Sequence, residues 1–201
     1  MTKKKMTRRE RLRSMIAEAE PGSVLHTELT TVQNILAKPK EQALPQLLRF
    51  LKPSLHPETK WMIGWTLETM KDERIIRPMM RALQAPENAN RSNYFLWPLT
   101  KYDCTPHLWF FVNFIVKLDE PGEAMMVAIM IIKAMKGPFD PTIARKSIRT
   151  LLAEVKTPMA AEWKEQTEAF RLEAADYIMA KYFNRVSKEF WQPRNGSVPI
   201  S

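Results

Sequence analysis

The chain has 201 residues, 45% of them hydrophobic and 26% charged, with only 5 Gly and a net charge of +9. That length buries one ordinary core, and so little glycine leaves few of the turns that sheets need. The lone Cys104 excludes a disulfide framework, and the longest apolar runs, residues 108–118 and 124–135, reach only 11 and 12 residues, short of the roughly 20 that span a bilayer.

Residues 1–20 hold Lys3, Lys4, Lys5, Arg8, Arg9, Arg11 and Arg13 against three Glu, a net of +4 that leaves +5 for the rest. No apolar stretch follows them, so a secretory signal is not expected and the cytoplasm is the expected compartment. This basic N-terminal segment reads as the solvated start of a helix. Short helical segments at 12–20 and 30–37 then lead into a regular pattern.

The pattern is a repeat of about 32 residues. Leu44, Leu47, Leu48 and Leu51, shifted by 32, fall on Ile76, Met79, Met80 and Leu83, and shifted again on Leu108, Phe111, Val112 and Ile115; all twelve are apolar. Their i, i+3, i+4, i+7 spacing is one stripe of an α-helix, called A here. The same shift carries Met62, Ile63, Leu67 and Met70 to Tyr94, Phe95, Leu99 and Tyr102, then to Met126, Val127, Ile131 and Ala134, the B helices. Turn-forming segments at 52–57, 85–88 and 119–122 separate each A from its B.

The expected fold class is therefore all-α, a solenoid of HEAT-like antiparallel helix pairs over residues 21–158, whose stacked neighbours share a core and offer an extended concave surface. A further helical segment spans 142–155. A long C-terminal capping helix is expected over 159–191, with Trp163, Phe170, Ala174, Tyr177, Ile178, Tyr182 and Phe183 on its apolar side, before a flexible tail at 192–201.

Catalytic chemistry has no signature here, and the chain is not expected to be an enzyme. Cys104 and His107 are three apart, but zinc takes about four ligands, no second cysteine exists, and His26 and His56 lie elsewhere. Thr105 as an N-cap, Pro106 at a first helical position and Asp103 accepting turn N–H groups give that stretch a structural reading. The five glycines are isolated, which excludes a phosphate loop, and Glu165 and Glu168 belong to a solvated helix face. Neither a metal nor a cofactor is expected.

Trp61, Trp65 and Trp97 sit on B helices, flanking the core stripe, with Trp65 and Trp97 equivalent by the shift. Tryptophan and tyrosine are common anchors of binding surfaces, although large aromatics also fill cores. With Asn93, Lys101, Tyr102 and Asp103 they form the candidate partner-binding set.

The stretch from Asn93 through Tyr94, Phe95, Leu96, Trp97, Pro98 and Leu99 to Tyr102, Asp103, Cys104, Thr105, Pro106 and His107 resembles bacterial HEAT-repeat immunity proteins. In that family a B helix of the form Asn-x-Leu-x-x-x-Leu ends in Tyr-Asp-Cys-Ser-x-His and leads into an A helix. The likeness is clearest over residues 91–118; Tyr94, Phe95, Trp97 and Pro98 stand where smaller residues are usual, and Thr105 replaces Ser. The resemblance implies an immunity protein that binds and neutralises a cognate bacterial toxin domain, delivered by a contact-dependent or type VI system, in the cytoplasm of the producing cell. The positive charge implies a toxin surface that is acidic or neutral.

The alternatives are a HEAT-like nucleic-acid-binding protein, similar in architecture to alkylation-repair glycosylases, and a generic protein-binding adaptor. Against nucleic acid, equivalent positions build no cationic ladder: Lys52 aligns with Gln84 and Val116, Lys60 with Ser92 and Ala124, and only Arg49 with Arg81. Neither nucleic acid nor a membrane is the expected partner.

Overall fold

In the computed structural model, residues 6–155 and 160–190 are described, with side chains as far as Tyr182. Lys3, Lys4, Lys5, Met159, the Phe183 side chain, Trp191 and the 192–201 tail lie outside the described residues. Among the described residues the protein is all-helical, without a strand, and no helix is long and apolar enough to cross a membrane. The chain divides into two compact units, Met1–Cys104 and Thr105–Ser201.

The first unit holds α1 (Arg8–Glu18), α2 (Val24–Leu36), α3 (Lys40–Phe50), α4 (Pro57–Leu67), α5 (Ile76–Gln84) and α6 (Asn93–Leu99). Local chemistry sets the helix starts. Thr7 and Glu10 form a capping box at α1, Ser23 caps α2 after the Gly22 turn, and Pro57 opens α4 behind His56, whose Nδ1 accepts from the Glu58 N–H. Because Ser23 supplies that cap, α2 begins ahead of the 30–37 segment expected from apolar spacing alone.

Packing joins α1 to α2 and α4, α2 to α3 and α4, α4 to α6, and α5 to α6. The core between them holds Leu29, Leu44, Leu47, Met62, Met79 and Phe95. None of the repeat-related apolar positions in α3 and α5 is exposed. Burial of such stripes, about 1.5–3 kcal/mol for each large apolar side chain, is the main force holding short helices that are marginal in isolation.

The second B segment departs from a continuous helix. Residues Pro86–Arg91 form a 3-10 turn, and α6 runs only to Leu99, with Pro98 inside it lacking the N–H that would bond the Tyr94 carbonyl. Gly64 of α4 packs against this place: a Cβ there would fall on the Tyr94 oxygen and within 3.5 Å of Pro98 Cγ. The missing side chain at 64 is what lets the two backbones approach.

The second unit holds α7 (Leu108–Lys117), entered by a 3-10 turn at Thr105–His107, then α8 (Glu123–Ala134), α9 (Pro141–Leu151) and α10 (Ala161–Phe190). Here α7 packs on α8 and α9, and α10 packs on α8 and α9. Leu108, Phe111, Val112 and Ile115 are all buried, as the A stripe predicts. In α8 the buried face is rotated from the predicted one: Val127 and Ile131 are buried, but Met126 is 41% exposed and Ala134 is exposed, while Met125, Ala128 and Ile132 turn inward. With α7 and α10 both packed against it, α8 buries more than one stripe.

Along α10, Ala174 and Ile178 are buried and Phe170 and Tyr177 half-buried, but Trp163, near the helix start, is exposed. Arg171 is buried and donates from a terminal nitrogen to the Val116 carbonyl at 3.0 Å, and burial lowers its pKa. Tyr177 donates to the Lys133 carbonyl, and Lys133 pairs with Glu173. Thr105 accepts the Gly137 N–H on its hydroxyl at 3.0 Å, tying the entry of α7 to the segment between α8 and α9.

Candidate functional site

A helical period places Trp61 and Trp65 on one face of α4, four residues apart. Their ring centroids lie 5.2 Å apart at 32°, and both indoles are half-buried. On either side of this face, Met62, Ile63, Thr66 and Leu67 turn inward. The pair thus lies at the margin of the core, where part of each ring supports packing and part meets solvent.

Helix α1 reaches this face. Arg8 lies over the Trp65 ring, 5.0 Å from its centroid, donates from Nε to the Trp65 carbonyl at 2.7 Å, and approaches Glu68 at 3.5 Å. A cation over an indole contributes about 0.5–1 kcal/mol at such a site. Composition offers no sign of this contact; the one local clue is the Thr7–Glu10 capping box, which puts Arg8 at the first helical position.

On α6, Asn93 and Trp97 share a face by the same four-residue spacing, and the 32-residue shift makes them the equivalents of Trp61 and Trp65. Trp97 is 40% exposed and Asn93 half-buried. Lys101 is exposed just beyond the helix, and Asp103 is half-buried. Tyr102 is placed differently from the others: it is 5% exposed and its hydroxyl donates to the Leu67 carbonyl at 2.7 Å, so its side chain belongs to the core of this unit. Burial, the largest influence, raises its phenol pKa.

Comparison with protein-family models, with curated proteins and with solved structures finds no match for this chain. What the face can do therefore follows from its side chains. Trp61 and Trp65 on α4 and Trp97 on the packed α6 are large, rigid, amphipathic side chains, with Asn93 and Lys101 as polar company on the second stretch.

Cys104, past the end of α6, is fully buried, and its thiol is pushed up to about 12, first by burial and then by Asp103 and Glu73. It is a neutral thiol at physiological pH, unsuited to nucleophilic attack. No cluster of three or more His, Cys, Asp or Glu with metal-holding geometry occurs among the described residues.

Lys60 carries a second perturbed charge. It is 3% exposed, and its Nζ donates to the Asn88 Oδ1 at 2.7 Å while Asn88 Nδ2 donates to the Ala82 carbonyl at 2.9 Å. Burial, and then Arg91, lower its pKa, opposed by Glu87 and Glu28. Its hydrogen-bond partner is a neutral amide.

Proposed function

We propose that this chain is a HEAT-like stack of helix pairs acting as an immunity protein, which binds and neutralises a cognate bacterial toxin domain in the cytoplasm. The observation that carries this reading is the partly exposed indole set: Trp61 and Trp65 half-buried at the margin of α4 and Trp97 exposed on the adjoining α6. Large aromatics left partly in water by a chain that buries many other apolar side chains are the usual form of an interface anchor. The resemblance of residues 91–118 to immunity proteins supplies the class of partner. Asn93 and Lys101 lie on the same stretch and complete the contact surface.

The test is to read the genes beside this one for a toxin domain and to co-express any such domain with the chain. Trp65→Ala and Trp97→Ala should each weaken toxin binding by about 2 kcal/mol, with a loss of growth protection, while thermal melting changes less. Variants that protect cells as well as the native chain would remove the tryptophan face from the reading. Variants that unfold would assign both indoles to the core.

A further inference from the structure

We propose that the cleft between α3 and α5 is a second recognition site, which takes a carboxylate-bearing peptide segment of a protein partner and seats an apolar side chain of that segment against its walls. It stands independently of the toxin reading, because Trp61, Trp65 and Trp97 do not line it.

The cleft arises because α3 packs on α2 while α5 packs on α6. Its volume is about 440 Å³, within the range of small-ligand sites, with Leu48 and Leu51 on one wall, Pro78 on the other, and Asn88 and Phe95 also lining it.

Three cations line it: Arg49 in the last turn of α3, Lys52 just past that helix, and Arg81 in the last turn of α5. The repeat places the two arginines at equivalent positions on successive A helices. All three are exposed, no carboxylate lines the cleft, and none of the three joins an ion pair among the described residues. Behind Asn88, the buried Lys60 Nζ donates to the Asn88 Oδ1 that faces it. The cleft therefore presents fixed positive charge beside apolar walls.

Arginines in a last helical turn also complement the helix dipole, which explains their presence on α3 and α5. It does not explain why both line one apolar-walled cavity without a carboxylate. The apolar walls choose between anions. A phosphate chain would leave Leu48, Leu51 and Pro78 unmatched, whereas a peptide can bring an apolar side chain to them and carboxylates to the guanidinium forks.

The experiment is fluorescence anisotropy of the full chain, at near-physiological salt, with a labelled, end-capped peptide alternating Glu and Leu. Controls are its Gln-for-Glu counterpart and a thymidine oligonucleotide of equal charge. The Glu peptide should bind, the Arg49→Ala/Arg81→Ala variant should bind it at least about tenfold more weakly, and the exposed Arg77→Ala, outside the cleft, should bind as the native chain does. Circular dichroism checks each variant; if the double variant loses helix, Lys52→Ala, which lies outside any helix, should show a loss of about threefold or more on its own. The proposal is overturned if the Glu peptide does not bind, if the Gln peptide binds equally, or if the folded cleft variants bind normally. Tighter binding of the oligonucleotide, lost in the same variants, would also overturn it by assigning the cleft to a phosphate backbone.

Discussion

Cys104 shows what burial does to a single group. The folded chain holds the thiol proton up to about pH 12, whereas an unfolded thiol releases it near its ordinary 9.0. Between those values the unfolded chain binds fewer protons, so stability falls as pH rises, and the contribution is fully present only below 9.0. In urea titrations across that interval, Cys104→Ala should lose less stability with rising pH than the native chain does. At pH 8 the native thiol should resist a disulfide reagent until the chain is unfolded; rapid labelling of the folded chain would contradict the buried placement. Sequence marks Cys104 as a lone cysteine, but its protonation depends on neighbours, such as Glu73, that folding brings near.

At the scale of elements, the contact of α4 with α6 turns on Gly64 and Pro98. Proline removes the helical donor to Tyr94, and glycine opposite lets the two backbones close over that carbonyl. Gly64→Ala should therefore destabilise the chain by about 1–3 kcal/mol through overpacking, even though alanine is the better helix former. Chemical denaturation measures this, and an unchanged midpoint would mean that α4 and α6 stand farther apart. The pairing of Trp61 with Asn93 and of Trp65 with Trp97 is legible as a 32-residue shift, as are the helices α3 to α8. The rotated face of α8 and the Arg8 cover on Trp65 are not, since each depends on which helix lies alongside.

For the whole molecule, a net charge of +9 invites association with nucleic acid, but the charge is spread unevenly. Lys60 is buried, Arg171 donates to a backbone carbonyl, and Arg8 is engaged with Trp65 and Glu68. Binding of duplex and single-stranded oligonucleotides should accordingly be weak and fall steeply with added salt. Submicromolar affinity at near-physiological salt would favour the nucleic-acid-binding reading over the immunity reading.

The all-helical class and the positions of most helices were determined by the sequence itself, because caps, prolines and apolar periodicity act over a few residues and are present in the chain before it folds. So was the interest of Trp61, Trp65, Asn93, Trp97 and Lys101, which lie on or just past B helices, with Trp65 and Trp97 equivalent by the repeat. Tertiary structure decided which of those side chains meets solvent: Trp97 does, whereas Tyr102, on the same stretch, turns inward to the Leu67 carbonyl. It also decided that Lys52, which has no cationic equivalent along the repeat, joins the equivalent Arg49 and Arg81 in lining one cavity. Exposure and convergence are properties of the space between helices, and that space exists only once the helices have chosen their neighbours.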